Sequence, residues 1–278
     1  MKKNIIKKIV LLTLATFSLF ALVGCGNSQA SSNKEKTVKI GVTGSDNRVW
    51  NAVAKKVKKE GINIKIVEFS DYNQPNAALS QGEIDLNSFQ TLTFQNDWNK
   101  KHHTNITSIG STVIAPMALF SKKVTSVSQI KEGDKIAVPN DATNEGRALQ
   151  LLESAGLIKL DSAKIPNLKD VTENKLNLKI SALDAAQTAK SLDDVAASVV
   201  NSGVASDAKL DLKKAIYREK VTAKSKPYVN IISANAKDKN NKTYKKIVKA
   251  YQTEDIAKEI QKDYNGYETA AWNYKVLN

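Results

Sequence analysis

Residues Lys135 to Ala148 read KIAVPNDATNEGRA, and the fold turns on how this stretch is parsed. Ile136 to Val138 are a short apolar run that predicts a buried strand, Pro139 to Thr143 a polar loop leaving it, and Asn144 to Ala155 a helix. A helix that starts above a strand end points its unpaired N–H groups and the positive end of its dipole at whatever occupies that spot. Arg147 falls in the first turn, where its planar fork of donors suits a carboxylate if the side chain turns back toward the strand end. On that reading the segment receives a small anion or an amino acid. On the other, Asn140, Asp141 and Asn144 only cap and turn, while Arg147 lies on a solvated face; these residues alone leave both open.

Outward from this segment, strands and helices alternate. Val38 to Val42 predict a strand, Gly44 to Asp46 a turn, and Arg48 to about Glu60 a helix with Val49, Val53 and Val57 at fourfold spacing. Gly61 stops it, and INIKIVEF, ending at Phe69, alternates as a second strand, so the opening is a β-α-β unit that predicts a parallel sheet. A short helix Asn76 to Gln81, a strand Ile84 to Phe89 and a helix Thr93 to His102 follow. His102 and His103 are adjacent and lack a spaced third ligand, which argues for a helix end rather than a metal site. Ile106 to Phe120, punctuated by Gly110 and Pro116, reads as the strand that leaves one lobe and enters another.

Beyond the central segment, Leu178 to Leu183 read as a strand, Ala185 to Lys190 as a connector and Leu192 to Ser198 as a short helix, with Val199 and Val200 ending in Asn201. Ile216 to Lys226 bring the chain back and PYVNIIS, Pro227 to Ser233, crosses to the first lobe. Thr243 to Gln252 and Thr253 to Tyr264 are amphipathic helices, the second with Thr253 at its N-cap, and the tail carries Trp272 and Tyr274. The expected architecture is α/β in two lobes: residues 37–115 and 228–278 in one, 116–227 in the other. Strand ends of both face a shared cleft, and two crossing segments form a hinge.

The first residues are a processing segment. Lys2, Lys3, Lys7 and Lys8 precede an apolar core, Ile9 to Val23, too short and too abruptly ended for a membrane span. Leu22, Val23, Gly24 and Cys25 match the bacterial lipobox, so the expected cut falls after residue 24 and the Cys25 sulfur, from the chain's single cysteine, receives a lipid. Residues 25–36 read as a flexible Ser, Asn and Lys-rich tether to the outer face of the cell membrane. The formal charge of +14 falls to about +10 without the four leading lysines, a field that favours anionic lipid or wall polymer nearby. The lysines are dispersed over helix faces and turns with no nucleic-acid motif, so no nucleic-acid partner is expected. Neither a GxSxG elbow nor an HExxH helix occurs, which argues against an enzyme.

The segments DYNQPNAALSQGEIDLNSFQ, KIAVPNDATNEGRALQLLESAGLIKL, SLDDVAASVVN and KPYVNII, taken with the lipobox, closely resemble the NlpA-type methionine-binding lipoproteins. The resemblance runs from about Val38 to the C-terminal helices. It implies the bilobal, type II periplasmic-binding-protein fold, no catalysis, no cofactor, and delivery of L-methionine, a related amino acid or a short methionine-containing peptide to an ABC permease with its ATPases. It also implies that Arg147 clamps the ligand carboxylate with Asn144 near it, that Asn201 and Asn230 recognise the amino-acid backbone, and that Tyr72 and Phe89 line the side-chain end. Two positions depart from the family pattern: Thr91 stands where FQH is usual, and Ala115 precedes Pro116 where a tyrosine is usual. Both remove volume, so the pocket is expected to be wider, unless neighbours such as Leu92 or Met117 refill it. A surface-adhesion lipoprotein is the alternative class, and it does not require a closing cleft.

Overall fold

The valines spaced four apart behave as their periodicity predicts: Val49, Val53 and Val57 form the buried face of one helix, and the two strands flanking it run parallel. The computed structural model describes residues 36–264 and 267–273; the signal segment, the lipobox with Cys25, residues 25–35 of the tether and Tyr274 lie outside the described residues. Lys36, placed with the tether from sequence, is the first residue of a strand.

In chain order the first part contains β1 (Lys36–Thr43), α1 (Arg48–Lys58), β2 (Ile62–Phe69), α2 (Gln74–Gln81), β3 (Leu86–Asn87), α3 (Leu92–His102) and β4 (Ile106–Ile114). The middle contains β5 (Ala118–Phe120), β6 (Lys135–Pro139), α4 (Ala142–Ser154), β7 (Lys159–Leu160), β8 (Val171–Glu173), β9 (Lys179–Leu183), α5 (Ala185–Thr188), β10 (Ala197–Val200), α6 (Ser202–Asp207) and β11 (Tyr217–Arg218). The chain ends with β12 (Val229–Asn235), α7 (Lys242–Tyr251), α8 (Glu254–Asp263) and β13 (Thr269–Ala270).

These strands make two separate sheets and a small ribbon of β7 with β8. One sheet has the order β13-β4-β12-β3-β1-β2, the other β11-β5-β10-β6-β9. The first is parallel through β2, β1 and β3 and antiparallel where β12 inserts between β3 and β4. In the second, β6 runs parallel to both neighbours, with Ile136, Ala137 and Val138 fully buried as an apolar run between two helical layers requires. The chain passes from the first sheet to the second through Ala115, Pro116 and Met117, and returns between Arg218 and Val229. The stretch Ile106 to Phe120 is therefore two strands in two different sheets, divided where Pro116 cannot donate to a ladder.

Each lobe has its own core. Ile40, Val53, Val57, Ile62, Ile247 and Ile260 pack together between the first sheet and helices α1, α7 and α8. Met117, Leu119, Ile136, Leu149, Leu152 and Val199 do the same in the second. The short helix expected at Leu192 to Ser198 is corrected: a 3-10 turn spans Lys190–Asp193, and Ala197 and Ser198 belong to β10, whose four residues are all buried. The connector expected at Ala185 to Lys190 opens with the helical turn α5. The C-terminal stretch makes a further link between lobes, because Tyr267 packs with Phe120, Leu192, Val200 and Leu212 of the second lobe while β13 pairs with β4 of the first. Among the described residues, no helix is long and apolar enough to cross a membrane.

Candidate functional site

The loop after β6 is organised by Asp141, whose carboxylate accepts the Asn144 N–H at 3.0 Å and the Thr143 hydroxyl at 3.0 Å, so the helix starts at Ala142, two residues before Asn144. Asp141 also accepts both contacts of the Asn144 side-chain amide, at 3.1 and 2.9 Å, which leaves the Asn144 carbonyl oxygen pointing elsewhere. That oxygen accepts from Asn201 Nδ2 at 3.0 Å. The Asn201 Oδ1 atom, turned the other way by this bond, is buried and meets no donor among the described residues. One loop thus both caps α4 and turns the Asn144 carbonyl toward Asn201.

Arg147 is 4% exposed, so it is no solvated face residue. Its Nε donates to the two Glu219 oxygens at 2.9 and 3.1 Å, and its Nη2 donates to Glu219 Oε2 at 2.5 Å and to the Ala115 carbonyl at 2.9 Å. The guanidinium carbon lies 4.6 Å from the centroid of the Tyr228 ring. Ala115 belongs to the outgoing crossing segment, and Glu219 and Tyr228 to the returning one, so a single side chain ties both crossings together. Glu219 Oε2 also accepts the Met117 N–H at 3.0 Å. With Nε and both hydrogens of Nη2 engaged, Nη1 is the guanidinium nitrogen left to donate among the described residues.

Across the cleft stands an aromatic group. Tyr72 and Phe89 have ring centroids 5.9 Å apart, and Phe94 meets them at 6.2 and 5.8 Å in edge-on arrangements. Burial pushes the Tyr72 hydroxyl well above its ordinary value, keeping it neutral. Beneath these rings lies a polar lattice of fully buried amides. Asn76 donates to Gln90 Oε1 at 2.7 Å, Asn87 and Gln90 both donate to Asn76 Oδ1 at 2.8 Å, and Ser233 donates to Gln95 at 2.8 Å. The asparagines and glutamines of DYNQPNAALSQGEIDLNSFQ therefore fix the loop that carries Phe89.

All eight sequence-derived ligand candidates line one cavity. Arg147, Asn144, Asn201 and Ala115 come from the second lobe and the outgoing crossing, and Tyr72, Phe89, Thr91 and Asn230 from the first lobe. The cavity has a volume of ≈ 140 Å³, space for about ten waters by the room each needs. Thr91 does more than stand in for a histidine, since its hydroxyl accepts the Phe94 N–H at 3.1 Å and caps α3. Neither of the neighbours offered as an alternative filling lines the cavity. Met117 is fully buried in the second lobe's core and Leu92 is 39% exposed.

Sequence reasoning passed over Glu219, Phe94 and an acidic end of the same cavity formed by Asp46, Asp207 and Glu268. Asp46 is held below the usual carboxylate range by hydrogen bonds from Arg48 Nε at 2.8 Å and Nη2 at 2.5 Å. Asp207, on α6, accepts the Ser45 N–H at 3.2 Å and so closes the rim between the lobes. The Glu268 carboxyl is pushed up to about 7, chiefly by burial and then by Asp46. Phe94 carried a usable signal, three residues beyond Thr91 on the same helix turn. Glu219 and Glu268 carried none, since neither lies in a motif with the residues it faces.

A family model described as NlpA lipoprotein matches residues 38–272. The D-methionine-binding lipoprotein MetQ of Escherichia coli K12 is 39% identical over 266 residues, covering 93% of this chain and 96% of that one. Among solved structures, the substrate binding protein of a methionine transporter from Streptococcus pneumoniae is 43% identical with TM-score 0.81, covering 85% of this chain and 96% of that chain. A nutrient binding protein from Burkholderia cenocepacia bound to methionine is 42% identical with TM-score 0.80, covering 84% and 99%. The two sheets and their crossings are thus the bilobal type II binding-protein fold.

Proposed function

The chain belongs to the NlpA lipoprotein family, and from that premise we propose that it captures methionine between its lobes and passes it to an ABC importer. It is a binding protein, not an enzyme. One observation carries the assignment of the site: a buried arginine and an aromatic cluster line the same small cavity from opposite lobes. Nη1 of Arg147 takes the ligand carboxylate, with Asn144 holding Asn201 in place beside it. Asn201 and Asn230 recognise the amino-acid backbone, while Tyr72, Phe89 and Phe94 supply the polarisable wall that a thioether prefers. The nine heavy atoms of methionine match a space for about ten waters. Thr91 and Ala115 leave the thioether end less filled than a histidine and a tyrosine would.

The remaining assignments follow the same reading. Lobe boundaries at 115/116 and 227/228 support closure about Ala115 to Met117 and Tyr228, where Arg147 is anchored. Cys25 holds the protein by lipid on the outer face of the cell membrane, and a permease with cytoplasmic ATPases receives the ligand. Calorimetric titration of protein freed of carried-over ligand by unfolding and refolding tests this. Tight binding of methionine, with alanine and lysine silent, is expected. Preference for a methionine-containing dipeptide over methionine would move the ligand to a short peptide, and binding of neither would overturn the reading.

A further inference from the structure

The charges around the cleft do not balance, and the imbalance is local. Arg147 is met by Glu219, and Asp46 by Arg48. Glu268 lines the same cavity, yet among the described residues no lysine, arginine or histidine reaches it within ion-pair distance. The groups around it are the Asp46 carboxylate from the loop before α1, the Ser202 hydroxyl at the start of α6, the phenols of Tyr251 and Tyr264 from the helical layer, and the Tyr72 phenol across the cavity. The guanidinium of Arg48, on α1, is spent on Asp46 and on the Asp263 carbonyl at 2.8 Å. An acceptor without a donor among the described residues lies in the same cavity: Asn201 Oδ1, buried and held in orientation by the bond from its own amide to Asn144. A half-buried carboxyl without a cation among the described residues and a buried carbonyl oxygen without a donor are both costly unless an occupant supplies N–H groups and positive charge.

We infer that Glu268 and Asn201 Oδ1, which line the same cavity, receive the ammonium group of the ligand, so that a primary amine is as strict a requirement for binding as the carboxylate at Arg147. This rests on reading the cavity as the amino-acid site. Methionine's own groups keep their charges between pH 6 and pH 8, so any proton exchanged on binding in that range comes from the protein. In the unliganded protein the Glu268 carboxyl, pushed up to about 7, carries a proton part of the time; an ammonium seated against it favours the ionised form and expels that proton. Affinity therefore rises with pH through neutrality.

The test titrates L-methionine and its analogue without the amine, 4-(methylthio)butanoate, into refolded protein at pH 6, 7 and 8, in two buffers of unlike ionisation enthalpy. Proton release near pH 7 and binding about tenfold weaker at pH 6 than at pH 8 are expected. Glu268→Gln, checked for an intact melting transition, loses the pH dependence and most of the discrimination against the analogue. Asp207→Asn, which leaves Glu268 in place, keeps the proton release. Methionine binding without proton exchange, and with a flat pH profile in the wild type, overturns the inference without need of any variant. So does a Glu268→Gln protein with unaltered affinity and discrimination. Absence of all amino-acid binding is a different outcome, and it overturns the reading of the cavity itself.

Discussion

Replacing Glu219 by glutamine removes the carboxylate paired with the buried Arg147 while keeping the side chain's size. Arg147 is 4% exposed and Glu219 18%, so the pair sits where breaking one partner leaves a guanidinium almost without water. Removal of one member of a buried pair typically costs 3–5 kcal/mol. Glutamine can still accept one of the three bonds, which places the expected loss at about 3 kcal/mol, or about 6–12 °C in the melting midpoint of a chain this long. The loss has a particular location, because Arg147 joins Ala115 on one crossing to Glu219 and Tyr228 on the other. The assay is urea unfolding of the ligand-free protein for Glu219→Gln, Arg147→Met and the double variant. Each single change leaves a buried charge alone and the double change leaves none, so the double variant is expected to be more stable than the sum of the singles by about 2 kcal/mol or more. Single losses under about 1 kcal/mol that simply add would show that the pair neither holds the arginine nor links the crossings.

Three other outcomes follow from single contacts. Thr91→Ala deprives α3 of its side-chain cap and is expected to lower unfolding free energy by about 1 kcal/mol in the same assay. Gly44 has φ +79° and a Cβ there would meet Asp207 Oδ2 at 2.0 Å, whereas Gly61 has φ +73° and open space around it. Both alanine variants incur about 1 kcal/mol of backbone strain, but only Gly44→Ala should also weaken ligand affinity several-fold, since it alone holds the lobes apart. Glu268 has a folded value of about 7 against an ordinary 4.5, so its contribution to stability is fully present below 4.5 and is lost as pH rises through 7. The ligand-free protein should lose about 3 kcal/mol over that window from this group, and Glu268→Gln should flatten the profile.

How much could be read in the sequence depended on the range of the interaction concerned. The first β-α-β unit and the strand-loop-helix of KIAVPNDATNEGRA were legible because apolar periodicity, a glycine stop and a capping aspartate act within a few residues. The helix start was misplaced by two residues because Pro139 to Thr143 read as one loop, whereas the helix already begins at Ala142, directly after its Asp141 cap. Ala197 and Ser198 were misread as helical because a short run of small apolar residues has no period, and their pairing with β5 and β6 decides the matter. Arg147 was singled out by the strand-loop-helix parse itself, but the other pocket residues came from resemblance to a family, since nothing local in YVN or VVN brings Asn230 and Asn201 into one cavity. Glu219 lies 72 residues from Arg147, and no spacing rule connects them. Glu268 owes its character to burial and to Asp46, which only the folded chain supplies.

The most direct test of the central claim is a crystal structure of the refolded protein soaked or grown with methionine. The account predicts one molecule between the lobes, its carboxylate on Arg147 Nη1, its ammonium at Asn201 Oδ1 and Glu268, and its thioether among Tyr72, Phe89 and Phe94. A methionine lying the other way round, with its carboxylate away from Arg147, or density for methionine only outside this cavity, would contradict it.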